Sequence, residues 1–148
     1  MKIGVLGSGN GGCAVAFDYA KMGYDVFMFD FEQFPTQVNA ITKNKGISAE
    51  GQLEGFAEIK YAGHDIEKVV SGADIIFAVG PAYSTEPFGE ACKPYLKKGQ
   101  VVIVCPGSCG GGIVFKNAIG LDIKDDSIII AEISYVDSKV VIRAIIID

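Results

Sequence analysis

Apolar and polar positions fall into short blocks whose period changes along the chain. Residues 2–6, Lys-Ile-Gly-Val-Leu, make a compact apolar run that predicts a first strand. Beyond a cluster of glycines, Val15, Tyr19 and Met22 are spaced by four and three, which puts them on one face of a helix that Gly23 stops. A second strand is expected over 25–29. The pattern from 31 to 45 is helical, with Pro35 suited to a first turn, Val38 and Ile41 on the buried side, and Gly46 as the terminator. Between 46 and 62 the period shortens. Ile47, Ala49, Leu53, Phe56, Ile59 and Tyr61, broken by Gly51 and Gly55, predict one hairpin of short strands.

The remainder alternates in the same way. Asp65 is read as the N-cap of a short helix over 66–70. Residues 73–79, Ala-Asp-Ile-Ile-Phe-Ala-Val, are nearly all apolar, as expected of a strand buried on both faces. A helix over 86–95 follows, capped by Ser84 and Thr85, then a strand over 100–104, a helix over 113–119 and a strand over 127–131 that ends at Glu132. Strand alternating with helix predicts an α/β fold: one domain over 1–148 built on a doubly wound, mostly parallel sheet, with the β-hairpin inserted near residues 46–62. A last apolar run covers 140–147. Left open, such an edge is an aggregation hazard, so it is expected to pair with the sheet and to be covered by a further domain, a partner chain or a second copy.

The cluster between the first strand and helix is Gly7-Ser8-Gly9-Asn10-Gly11-Gly12, which reads G-x-G-x-x-G at Gly7, Gly9 and Gly12. Each glycine has a physical reason. The first permits the tight turn, the second lets a pyrophosphate approach the backbone, and the third lets the helix pack on the strand. The start of that helix offers unpaired N–H groups and a partial positive charge. Asp30 closes the second strand eighteen residues past Gly12, where a carboxylate can take the hydroxyls of an adenosine ribose. A 2′-phosphate there would meet like charge, and the next residues, Phe31 and Glu32, supply no cation. NAD is therefore expected rather than NADP.

In sheets of this kind ligands lie outside the carboxyl ends of the strands. The other ends worth naming are Val79-Gly80-Pro81-Ala82 and Cys105-Pro106-Gly107. The expectation is that Gly7 to Gly12 and Asp30 hold the pyrophosphate and adenosine, with Phe31 either against the adenine or in the core. The two Pro-containing loops would lie along the nicotinamide half, with plain turn chemistry as their alternative. Glu132 ends a strand and is read as either a site residue or a surface carboxylate. His64 is read as part of a solvated turn or helix start. No residue of this chain stands out as a general acid.

Composition narrows the partners. Thirteen Lys and Arg against eighteen Asp and Glu give a net charge of −5 without a basic run, which argues against nucleic acid. No apolar run approaches the roughly 18 residues of a membrane span, and the first strand starts at once, leaving no room for a leader; a cytoplasmic protein is expected. The cysteines, Cys13, Cys92, Cys105 and Cys109, show no C-x-x-C pair, and one histidine offers a metal little help. They are read as reduced small hydrophobes, with a thiol near the cofactor as the second reading.

With these motifs in place, the chain resembles the opine dehydrogenases, the octopine and nopaline dehydrogenase group. The resemblance lies in the Asn-Gly-Gly core of the first turn, the hairpin Glu50-Gly51-Gln52-Leu53-Glu54-Gly55-Phe56-Ala57 and the segment Val79-Gly80-Pro81-Ala82-Tyr83. It continues in Pro106-Gly107 with Gly110-Gly111 and Phe115, and in Ile130-Ala131-Glu132. It implies a Rossmann fold and a reductive condensation, in which an amino acid and a 2-oxo acid form an imine that NADH or NADPH reduces. It also implies a following helical domain that carries the catalytic histidine, its acidic partner and much of the substrate site, and that is absent here. Cys13, Cys105 and Thr85 depart from the family's frequent His, Asn and nearby His, which bears on the substrate rather than the cofactor. Ketopantoate and glycerol-3-phosphate reductases share the early glycine turn, and a dinucleotide-binding regulatory module without chemistry is a further reading.

Overall fold

The computed structural model describes residues 1–51, 54–107 and 110–133. In chain order the elements are β1 (Lys2–Leu6), α1 (Asn10–Lys21), β2 (Asp25–Phe29), α2 (Pro35–Asn44), β3 (Gly46–Ala49), β4 (Gly55–Glu58), β5 (Tyr61–Gly63), α3 (Ile66–Val70), β6 (Ile75–Val79), α4 (Thr85–Cys92), β7 (Val101–Cys105), α5 (Gly111–Ala118) and β8 (Ile129–Glu132). One sheet runs in the order β5-β2-β1-β6-β7-β8, with every neighbouring pair parallel. The expected α/β, doubly wound, parallel sheet is thus the observed one. The run at 140–147, together with its expected pairing, lies outside the described residues.

The sheet separates two cores, because successive side chains of a strand point to opposite faces. Ile3, Val5, Val26 and Met28 point to one face, where Cys13, Ala16 and Phe17 of α1, Val38 and Ile41 of α2, and Ile47 and Ala57 of the β3–β4 hairpin cover them. Leu6, Phe29, Ile76 and Ala78 point to the other, under Val69 and Val70 of α3, Phe88 and Cys92 of α4, and Phe115 of α5. Gly4 makes room on that second face: a Cβ there would stand 3.2 Å from the Val69 carbonyl oxygen.

The helices start and stop for local reasons, not all of them those the sequence suggested. Pro35 occupies the first turn of α2, and Asp65 caps α3 by accepting the Lys68 N–H. At the end of α2, however, Lys45 rather than Gly46 takes the left-handed conformation, with φ 58°. Gly46 instead opens β3, where a Cβ would lie 2.3 Å from the Ala57 carbonyl oxygen. Ser84 stands at the N-cap of α4 as expected, but its hydroxyl does not bond the helix; it donates to the Pro81 carbonyl at 2.7 Å and closes the turn Ala82–Ser84 ahead of the helix. The inward face of α1 is also different. Gly12, Cys13, Ala16 and Phe17 are buried, Val15 and Tyr19 are half-buried, and Met22 is 60% exposed. Its first turn lies so close to β1 that only small residues fit beneath that turn, while Phe17 fills the space one turn further on.

The predicted hairpin is half right. Gly46–Ala49 and Gly55–Glu58 pair antiparallel, as expected. Tyr61 and Ala62 do not belong to it. They form β5, which joins the main sheet parallel to β2 with Phe29 opposite Gly63. That exchange of partners carries the chain back to the sheet edge, and it decides where His64 stands.

Candidate functional site

The connections make the site. From β1 the chain winds outward through β2 to β5, then crosses back to enter β6 on the other side of β1. The carboxyl ends of β1 and β6 therefore send their loops in opposite directions, the point at which sheets of this kind offer a crevice to a ligand. The G-x-G-x-x-G turn sits at the mouth. Gly7 has φ 100°, and a Cβ on it would lie 2.1 Å from the Val79 carbonyl oxygen. A Cβ on Gly12 would lie 1.9 Å from the Gly7 carbonyl oxygen. Both glycines hold the turn closed.

Gly9 differs from its neighbours. A Cβ built on it meets nothing within 4 Å, so the space above it is open. It is the N-cap of α1 and has no side chain to occupy the helix N–H groups. Asn10 and Gly11 beside it are exposed. The arrangement fits a pyrophosphate: an open cradle of backbone, at the positive end of a twelve-residue helix.

Asp30 ends β2 next to this turn and is only 7% exposed. Its Oδ2 accepts from the Ser8 backbone N–H at 2.7 Å and from the Ser8 hydroxyl at 2.6 Å, and its Oδ1 accepts from the Phe31 N–H at 2.9 Å. The carboxylate is therefore a clasp between β1 and β2 as well as a group at the crevice. Phe31 stacks on Phe88, with ring centroids 5.4 Å apart and planes at 10°, so one of its faces belongs to the core. Cys13 lies under the turn, where its thiol donates to the Ser8 carbonyl. Burial, and then the negative charge of Asp30, push that thiol up to about 11.

The two Pro-containing loops stand at the neighbouring ends of β6 and β7. Val79 is buried beneath Gly7 and Gly11, and Gly80 packs on Ser84 and Phe88. Pro81, Ala82 and Tyr83 are exposed, Tyr83 at 80%. Pro106 is half-buried and follows a cis peptide bond. Glu132, at the end of β8, accepts the Gly112 N–H and packs against Gly107, so it ties the loop after β7 to the start of α5.

One residue stands elsewhere than the sequence suggested. His64 does precede a helix start, standing directly before the Asp65 cap of α3, but it is half-buried rather than solvated and stands at a strand end. Because β5 is a strand of the main sheet, its carboxyl end opens on the same edge as Asp30, and the His64 Nδ1 lies 2.7 Å from the Asp30 carbonyl oxygen. Hydrophobic patterning could not show this, because the two residues meet only through the pairing of β5 with β2. The part played by Ser8 was equally hidden; in the sequence it is merely the variable residue between two glycines.

A parallel sheet with a glycine turn at its point of reversal, closed by an acid one strand away, defines a dinucleotide-binding domain. The chain belongs to the family of NAD-dependent glycerol-3-phosphate dehydrogenase N-terminal domains, whose model matches residues 2–113. It is 34% identical over 116 residues to an opine dehydrogenase of Arthrobacter sp. (strain 1C), covering 78% of this chain and 32% of that protein. It is 33% identical over 105 residues to a glycerol-3-phosphate dehydrogenase [NAD(P)+] of Nitratidesulfovibrio vulgaris (strain DP4), covering 70% of this chain and 31% of that protein. Among solved structures, an octopine dehydrogenase in complex with NADH and agmatine superposes with a TM-score of 0.69 at 25% identity, over 81% of this chain and 32% of that one. The chain thus spans about a third of the length of these relatives. Among the described residues, no helix is long and apolar enough to cross a membrane.

Proposed function

We propose that this chain holds NADH across the carboxyl ends of β1, β2, β6 and β7, and that it is the cofactor half of an opine-dehydrogenase-type oxidoreductase acting in the cytoplasm. The open backbone over Gly9, at the bare start of α1, carries the reading. Gly9, Asn10, Gly11 and Gly12 present N–H groups to the pyrophosphate, and Gly7 fixes the turn. Ser8 orients Asp30, whose remaining acceptor capacity meets the ribose. Phe31 offers its outer face to the adenine. Val79, Gly80, Pro81, Ala82 and Pro106 form the wall of the nicotinamide half. The bound dinucleotide supplies the hydride; this chain orients it and holds water off the buried side of the ring.

A general acid and a substrate pocket are not built from these residues, and the chain spans only about a third of its relatives. Both are assigned to a helical domain, on a further segment, a partner chain or a second copy, that closes over the exposed Pro81-Ala82-Tyr83 edge. Calorimetric titration with NADH and NADPH tests the cofactor reading. Saturable binding of NADH, at least several-fold tighter than NADPH, is expected; binding of neither, or a preference for NADPH, overturns it. A second reading, glycerol-3-phosphate chemistry, is favoured by the family match over residues 2–113. The two separate once the chain is assayed with its catalytic domain. Oxidation of NADH by an amino acid with a 2-oxo acid supports the first, and oxidation by dihydroxyacetone phosphate supports the second.

A further inference from the structure

We propose that His64 is a binding residue for the adenosine half of the dinucleotide, its Nε2 accepting a hydrogen bond from the ribose or the adenine amino group. The proposal rests on the cofactor reading above and adds a contact to it. It begins with topology. β5 pairs parallel to β2, so its carboxyl end, and His64 just past it, lie on the sheet edge that carries the glycine turn. There the imidazole Nδ1 meets the Asp30 carbonyl oxygen at 2.7 Å. A carbonyl oxygen can only accept, so Nδ1 carries the proton in this bond. In the neutral ring that leaves Nε2 as an acceptor, fixed in tautomer by the main chain of the residue that faces the ribose.

The second step concerns acceptor capacity. A ribose presents two adjacent hydroxyls. A carboxylate has about four lone-pair directions, and Asp30 has committed three, two to Ser8 and one to Phe31. One direction remains on Oδ1, enough for one hydroxyl. The other hydroxyl, or the adenine amino group, needs a further acceptor on the same edge. The polar groups around His64 are engaged with one another. The Asp65 carboxylate caps α3 through the Lys68 N–H and pairs with the Lys68 ammonium at 3.5 Å, and the Tyr61 hydroxyl takes the Asp65 N–H. The His64 Nε2 makes no hydrogen bond among the described residues, and the ring is half-buried rather than splayed into solvent.

The chain has one histidine, so its imidazole resonances are assigned without ambiguity in the unaltered protein. The full chain is titrated with ADP-ribose and, separately, with reduced nicotinamide mononucleotide. The His64 ring signals are expected to move with ADP-ribose, in step with its binding isotherm, and to stay in place with the mononucleotide. His64→Ala is expected to weaken ADP-ribose about threefold to tenfold, the worth of one neutral hydrogen bond, and to leave any mononucleotide affinity unchanged. ADP-ribose binding with silent His64 signals overturns the assignment while leaving the cofactor reading intact. Full ADP-ribose affinity in a folded His64→Ala chain does the same. A chain that binds neither ADP-ribose nor NADH overturns the cofactor reading and this assignment with it. The spectral test uses no variant, so it alone upholds or overturns the assignment where His64→Ala does not fold.

Discussion

Single glycines in the first turn do different jobs, and substitution separates them. Gly12→Ala drives a Cβ to 1.9 Å from a main-chain oxygen, where nothing flexible can yield. It should cost several kcal/mol through displaced backbone, on the scale of the larger single-residue effects, and a thermal melt would show it. Gly9→Ala meets nothing within 4 Å and starts from φ −67°, which any residue adopts. Its stability cost should stay under about 1 kcal/mol, the usual loss at an N-cap, while its methyl group enters the space assigned to the pyrophosphate. Calorimetry should therefore find NADH binding lost from a chain that melts almost normally. Retained binding in Gly9→Ala would remove the pyrophosphate from this turn. Asp30 offers a second test. Asp30→Asn keeps the size but removes the charge, so NADH should weaken about tenfold while discrimination against NADPH shrinks. Unchanged discrimination would show that the acid does not face the 2′ position. The spacing of glycines and acid was legible in the sequence because that device is local. The Ser8–Asp30 clasp was not, since it exists only where the ends of β1 and β2 come side by side.

Among the elements, most of those set by short-range rules matched their sequence reading, with Gly46 at the end of α2 and the Ser84 hydroxyl at the start of α4 as exceptions. The strand at Tyr61–Gly63, set by choice of partner, did not match. Strands β1 and β2, Pro35 at the start of α2 and the Asp65 cap of α3 all rest on residues within one turn of each other. The segment from Gly46 to Gly63 shows where such rules end. Three short strands of similar character can pair as a hairpin or divide between two sheets, and the alternation of side chains is the same in both. The outcome follows from the sheet edge: β2 has an open flank, and Tyr61, Ala62 and Gly63 fill it. For α1, large apolar residues drew the expected face to Val15, Tyr19 and Met22, whereas close approach to β1 selects Gly12, Cys13 and Ala16. The end of α2 yields a direct prediction. Lys45 holds a left-handed backbone, φ 58°, that disfavours a residue with a Cβ, and its side chain is exposed. Lys45→Gly should stabilise the chain by about 0.5–1 kcal/mol, which in a domain of this size raises Tm by a few degrees. A lower Tm in Lys45→Gly would mean that its side chain contributes more than its backbone costs.

At the scale of the whole molecule, the doubly wound sheet creates two interiors and puts a thiol in each. Cys13 of α1 faces one core, 2% exposed, and Cys92, the last residue of α4, faces the other, 0% exposed. Burial opposes ionisation, so the folded chain holds the Cys13 proton up to about 11, with the nearby Asp30 charge adding to the effect, and the Cys92 proton up to about 12. In the unfolded chain both thiols ionise near the ordinary value of 9.0. Above that pH the unfolded state binds fewer protons than the folded one, so linkage makes stability fall as pH rises. The contribution is fully present below pH 9 and is lost progressively as pH climbs through 11 and 12. By pH ~10 each thiol should have cost the fold about 1.4 kcal/mol, the worth of one pH unit. Tyrosine and lysine also titrate in this range, so the informative quantity is a difference in slope. Denaturant unfolding of the wild-type chain and of a Cys13→Ala/Cys92→Ala chain should give stabilities that converge between pH 8 and pH 10. The variant starts lower, because each substitution leaves a small void in a close-packed core, but it loses less on the way up. Parallel curves would mean that the interiors admit water or shift enough to solvate a thiolate. The two layers would then be looser than the burial of Phe17 and Phe115 beside these thiols indicates.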